Sequence, residues 1–215
     1  METTTMAAQP ELVLYHIAPS RSSIVHWMLE EIGQPYRLQM VDHERGENRQ
    51  AAYLAVNPMG KVPALAHGEV IITEAAAICC YLADRFPDAG LGVRLDDPRR
   101  GPYLKWLFFG PSCLEPAIID RMFNREPASP TALGYGDFDT TLDVVARAVE
   151  RGPYLLGERF TAADVVIGSG LRWGMMTKAV PERPEIVAYV SRLQERPAAQ
   201  RAVQKDTELA AAQTG

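Results

Sequence analysis

The chain has 215 residues, with 22 Lys and Arg against 27 Asp and Glu for a net charge of −5, 47% hydrophobic and 23% charged. At about 150 residues per domain, that length allows one large domain or two small ones, with a core that needs neither metal nor disulfide. The mildly acidic balance argues against tracking of a phosphate backbone, so no nucleic-acid partner is expected.

The three cysteines, Cys79, Cys80 and Cys113, are odd in number and lack the spacing of a zinc site. They read as free thiols in a reducing cytosol. The opening residues lack the basic start and apolar stretch of a secretory signal, and no run of about 18 apolar residues occurs. The expectation is a soluble cytoplasmic protein without membrane association, preceded by a short loose extension.

In chain order, Leu12–Tyr15 is a short apolar run of strand formers. A punctuated segment from His16 to Ser20 follows, and then Ile24, Val25, Met28, Leu29 and Ile32 recur at helical spacing with Gly33 as a stop. Tyr36, Leu38 and Met40 alternate with polar residues, which predicts a second strand. A polar stretch from Asp42 leads to a weak helix that ends before Asn57-Pro58-Met59-Gly60. Runs at 61–66 and 69–73, parted by His67-Gly68, predict an antiparallel hairpin, and a helix from about Glu74 to Phe86 covers it.

The first half is therefore β-α-β-α-β-β-α, a thioredoxin-like layout over residues 10–87. Residues 88–97 are polar and turn-rich and read as a linker. Residues 98–212 show no alternation and predict an all-helical domain, so the fold class is α/β plus all-α. Its helices are expected at about 98–121, 138–150, 161–176 and 184–195, with a short one near the C-terminus. Thr161 and Asp164 are spaced as a capping box, with Phe160 and Val165 as its staple, a folding signal without chemistry.

Thioredoxin-type redox enzymes place a Cys-x-x-Cys where the first strand meets the first helix, whose N-terminus stabilises a thiolate. This chain has Ser20-Arg21-Ser22-Ser23 there. Serine forms no disulfide, so thiol chemistry at this place needs a thiol brought by a ligand. By spacing alone, Ser20 or Ser22 serves equally well as a simple helix cap. No P-loop, strand-linked GxGxxG or GxSxG elbow is present, and the four histidines are too dispersed in sequence to suggest a metal site, so no metal is expected.

From Leu12 to about Ala202 the sequence resembles a cytosolic glutathione transferase, of the bacterial, serine-type, theta-like kind. Four segments carry the likeness: Leu14-Tyr15-His16 through Ser20 to Ser23, Asn57 through Leu65, Thr73 through Ile78 with Tyr81-Leu82, and Phe160 to Asp164. The resemblance implies that glutathione is activated as a thiolate for attack on hydrophobic electrophiles, a detoxification chemistry, with Ser20 as the thiolate donor rather than Ser22 or Ser23. It implies that Val62, before a cis Pro63, pairs its backbone with the cysteinyl unit, and that Ser22 lies at the glutathione site.

By the same resemblance, Glu74 holds the γ-glutamyl ammonium and the helix amides at Ala75 hold its carboxylate. Ala75 stands where the family usually has serine or threonine, which implies weaker binding. Lys61 matches a position facing the glycyl carboxylate, His43 is a weaker candidate for that end, and the register of Tyr15 is too early for a tyrosine-type donor. Phe109, Cys113, Phe123 and Trp173, within a set that includes Phe108, Met122, Met175 and Met176, are expected around the hydrophobic co-substrate. Such residues are also ordinary core. A homodimer is implied as well. A glutathione-dependent disulfide or peroxide reductase and a non-catalytic interaction module are the other readings of the same fold.

Overall fold

A computed structural model describes residues 11–213; the expected loose extension lies almost wholly outside them. β1 (Leu12–His16) is central: it pairs in parallel with β2 (Tyr36–Met40) and antiparallel with β3 (Ala64–His67), which pairs antiparallel with β4 (Val70–Thr73). Leu12, Val13 and Leu14 are consecutive buried residues because β1 is covered on both faces. β2 is an edge strand, and its alternation follows: Tyr36, Leu38 and Met40 are half-buried while Arg37 and Gln39 are exposed.

α1 (Ser22–Ile32) and α3 (Ala75–Arg85) pack against each other, and α2 (Ala51–Leu54) is a single turn that buries Tyr53. Gly33 stops α1 in the left-handed conformation, its N–H donating to the Leu29 carbonyl at 3.0 Å. The hairpin turn falls one residue later than expected, on Gly68-Glu69. Beyond α3 the chain is polar but not detached. Leu91 and Val93 are buried, and the Arg159 guanidinium donates to the carbonyl of Gly90.

The remaining helices are α4 (Arg100–Phe109), α5 (Glu115–Met122), α6 (Phe138–Val149), α7 (Ala162–Met176), α8 (Pro184–Gln194) and α9 (Pro197–Gln213). The single helix expected over 98–121 is split by one π-helical turn at Gly110–Leu114. Pro111 has no N–H to donate to the carbonyl four residues back, which breaks the regular ladder there. The helix expected to be short at the C-terminus is instead 17 residues long. Among its described residues the buried stripe is Ala198, Ala199 and Ala202, a weak apolar signal, and charged side chains dock it on α1.

α7 runs through the middle of the helical domain and contacts α1, α3, α4 and α8. Gly168 permits the approach of α8, since a Cβ there would sit 2.2 Å from Leu193 Cδ1. The expected box forms at its start: Asp164 Oδ2 accepts the Thr161 N–H at 2.8 Å and the Thr161 hydroxyl at 3.1 Å. Phe160 and Val165 are both buried, as a staple requires.

Candidate active site

Three loops meet at one end of the sheet, and the strand register explains why. Tyr15 near the end of β1 pairs with Ala64 at the start of β3, and Ala64 pairs with Thr73 at the end of β4. The segment 17–21 after β1, the Val62-Pro63 segment before β3 and Glu74 after β4 therefore all emerge along the same edge. The Val62–Pro63 peptide is cis. Among the described residues, neither the N–H nor the C=O of Val62 is engaged by another backbone group. The preceding loop is held from below, because Tyr53 Oη and Asn57 Nδ2 each donate to the Lys61 carbonyl at 2.7 Å. The Lys61 side chain is exposed and makes no ion pair among the described residues, and His43 is exposed as well.

Glu74 caps α3 from a left-handed backbone, φ 69° and ψ 116°. For a residue other than glycine this conformation costs on the order of 1–3 kcal/mol. Its carboxylate is exposed and takes no capping bond, so the strain aims an acid outward beside the first amides of α3. Those amides carry the positive end of the helix dipole, next to Ala75.

The three serines, equivalent by spacing, are separated by burial. Ser20 is half-buried at the N-terminus of α1, and its Oγ accepts the Ser22 N–H at 3.1 Å. Ser22 is fully buried, and its Oγ lies 2.7 Å from Ser20 Oγ and 2.7 Å from His16 Nδ1. It also accepts the Ile17 N–H at 3.1 Å. The Ser22 hydroxyl is thus turned inward behind Ser20. Ser23 donates to Asp206 Oδ2 on α9. Tyr15 packs edge-on against Tyr53 at 5.8 Å.

Sequence reasoning missed what lies behind the serines. His16 and His26, dispersed in sequence, meet at a centroid distance of 5.2 Å and share Asp206 Oδ1. The dispersal of the histidines therefore does not survive folding. Their ligand atoms and the carboxylate lie within 4.8 Å of one another, and both rings are hydrogen-bonded to the same carboxylate oxygen. Burial opposes ionisation of Asp206, yet hydrogen bonds from His16, His26 and Ser23 outweigh it and hold the carboxyl well below the usual range. Only the punctuation after β1 hinted at this cluster; nothing local marks Asp206.

Arg21 ties the serine loop to the helical domain. It pairs with Glu115 at the start of α5, and its guanidinium lies 5.8 Å from the Trp173 ring of α7. Phe109 precedes the π turn and Cys113 lies within it; both are half-buried, and burial pushes the Cys113 thiol up. Phe108, Phe123 and Met176 are exposed, at 64%, 62% and 66%. Cys79 is fully buried, and burial pushes its thiol well up from the ordinary value.

Fold and site together define a class: a thioredoxin-like domain that presents hydroxyls, a cis-proline loop and an outward acid at one sheet edge, backed by an all-helical domain. Residues 20–85 match the glutathione S-transferase N-terminal domain and residues 137–197 match its C-terminal domain. Glutathione S-transferase GstA of Escherichia coli O157:H7 is 34% identical over 184 residues, 83% of this chain and 90% of that protein. A glutathione transferase of Methylococcus capsulatus superposes with a TM-score of 0.75 at 31% identity, covering 91% of this chain and 98% of the other. A Sulfitobacter glutathione transferase homologue solved with bound glutathione superposes equally well, TM-score 0.75, at 27% identity over 91% and 98% of the two chains. The chain belongs to the glutathione S-transferase family.

Proposed function

We propose that the chain is a serine-type glutathione transferase in which Ser20 holds the glutathione sulfur as a thiolate for attack on a hydrophobic electrophile. The observation that carries this reading is the register-driven convergence of Ser20, Val62 and Glu74 at one sheet edge. Glu74 and the α3 amides at Ala75 receive the γ-glutamyl head, the backbone of Val62 before Pro63 pairs with the cysteinyl unit, and Lys61 faces the glycyl carboxylate. Ser22 is assigned behind Ser20 rather than against the ligand, in keeping with its burial.

The electrophile takes the helical side of the cleft, near Trp173, Cys113 and Phe109, with Phe123 at its exposed rim. A free thiol is only a few per cent ionised at neutral pH, and a hydroxyl donor at a helix N-terminus supplies about two pKa units, or about 2.7 kcal/mol. The division into residues 10–87, linker 88–97 and 98–212, a homodimer, a theta-like subclass, a bacterial origin, a role in detoxification and a cytoplasmic location belong to the same reading. The test is calorimetric titration with glutathione. Native protein is expected to bind and Glu74→Ala to bind at least tenfold more weakly, while no binding by native protein refutes the proposal.

A further inference from the structure

Behind Ser20 runs a buried chain of polar side chains that thiolate stabilisation by a single hydroxyl does not use. Ser20 Oγ, Ser22 Oγ and His16 Nδ1 follow one another at 2.7 Å steps, and His16 Nε2 lies 3.1 Å from Asp206 Oδ1. Asp206 is ionised, so His16 carries a proton on Nε2, since otherwise two acceptors would face each other. In the neutral ring Nδ1 is then a lone pair that only accepts. The Ser22 hydroxyl has two acceptors in reach, Nδ1 at 2.7 Å and the Ile17 carbonyl at 3.2 Å, and the shorter contact takes it, which leaves Ser22 Oγ to accept from the Ile17 N–H and from the Ser20 hydroxyl. Ser20 Oγ already accepts the Ser22 N–H. Its one remaining lone pair is free for a donor.

One proton added at His16 Nδ1 lets every hydroxyl reverse without moving a heavy atom, the Ser22 hydroxyl turning to Ser20 Oγ at 2.7 Å rather than to the Ile17 carbonyl at 3.2 Å. Nδ1–H then donates to Ser22, Ser22 donates to Ser20, and Ser20 donates outward. Each oxygen keeps one donor and two acceptor bonds in both states. The resting state presents an acceptor to a thiol, and the protonated state presents a donor to a thiolate.

We propose that Ser22, His16 and Asp206 form a relay that takes the thiol proton of glutathione through Ser20. This rests on the reading of Ser20 as the residue that faces the sulfur. The S–H bond breaks with its electron pair left on sulfur, and its proton joins Ser20 Oγ. The Ser20 proton passes to Ser22 Oγ, and the Ser22 proton passes to His16 Nδ1. The product is a thiolate facing Ser20 O–H and an imidazolium paired with Asp206. When the thiolate is consumed, the chain runs backward and returns the proton to the leaving group or to water.

Other charges bear on His16 from each neighbouring element. His26 of α1, with Arg201 and Lys205 of α9, opposes a second positive charge. Asp206 of α9 and Glu30 of α1 favour it, and the neutral Tyr36 of β2 bridges His26 to Glu30. An imidazole is the side chain suited to exchanging a proton near neutral pH. Because Ser22, His16 and Asp206 act through Ser20, they are positioning residues.

The test follows the ultraviolet absorbance of the bound thiolate against pH in native protein saturated with glutathione, and in Ser22→Ala and His16→Asn. Both variants are expected to titrate about one pH unit higher, leaving about threefold less thiolate at neutral pH, with glutathione affinity little changed. If both fold, bind glutathione and titrate as native, the relay is refuted and the cluster is only structural. Should His16→Asn fail to fold, Ser22→Ala decides, because it leaves the His16–Asp206 pair in place. Ser20→Ala separates the two claims: a shift there without one in Ser22→Ala removes the relay and keeps Ser20, whereas no shift in Ser20→Ala removes Ser20 and the relay together. An equivalent of divalent metal carried by native protein and lost from His16→Asn also overturns the relay.

Discussion

At the scale of single residues, Glu74 shows a functional demand overriding a local preference. Its left-handed backbone suits glycine. Glu74→Gly is expected to gain about 1 kcal/mol in urea unfolding by relieving the strain, and to lose glutathione affinity along with Glu74→Ala. A Glu74→Gly protein no more stable than native would mean that the conformation carries no strain. The acid itself is legible in the sequence through its place before a helix, but its backbone is not, because nothing local asks for a positive φ. Ser20, Ser22 and Ser23 show a similar limit. Spacing makes them equal candidates, and only a histidine arriving from β1 and a carboxylate arriving from α9 turn Ser22 and Ser23 inward.

At the scale of elements, α7 was the most legible part of the chain because its start is encoded in adjacent residues. What spacing could not show is the second half of the role of Asp164. Its Oδ1 accepts the Leu155 N–H and the Tyr189 hydroxyl, each at 2.9 Å, so one carboxylate joins the preceding loop, α7 and α8. Asp164→Ala leaves four buried donors unpaired and is expected to cost about 3 kcal/mol or more in equilibrium unfolding. A cost under about 1 kcal/mol would reduce the box to a local cap. α9 is the opposite case. Its length is not legible in the sequence, because a helix held by ion pairs has no wide apolar stripe to read.

At the scale of the molecule, α9 returns from the end of the helical domain to clasp the first. Glu31 binds Arg196 through two hydrogen bonds of 2.7 Å, and Glu30 binds Arg201 and Lys205 at 2.7 and 2.6 Å. Burial works against ionisation of Glu30, but hydrogen bonds from Lys205, Tyr36 and Arg201 outweigh it and hold the carboxyl at about 2, against an ordinary 4.5. A depressed folded-state pKa stabilises the fold above the unfolded value. That contribution is present above pH 4.5 and is lost as the pH falls towards about 2. Denaturant titrations over that window are expected to show Glu30→Gln less stable than native above it and flatter through it. Parallel curves for the two proteins would show that the clasp is not electrostatic.

The same clasp delivers Asp206 to the serine loop, so the helical domain completes a site whose visible residues belong to the first. The claim on which the whole account turns is that the Ser20 hydroxyl ionises glutathione. It is tested most directly by the rate of glutathione addition to a generic aryl halide, at saturating glutathione, in native protein and Ser20→Ala. Two pKa units of thiolate stabilisation raise the ionised share at neutral pH from a few per cent to about three quarters, which predicts a loss of about 25-fold in that rate with glutathione affinity largely kept; a Ser20→Ala protein that turns over as fast as native would contradict the account.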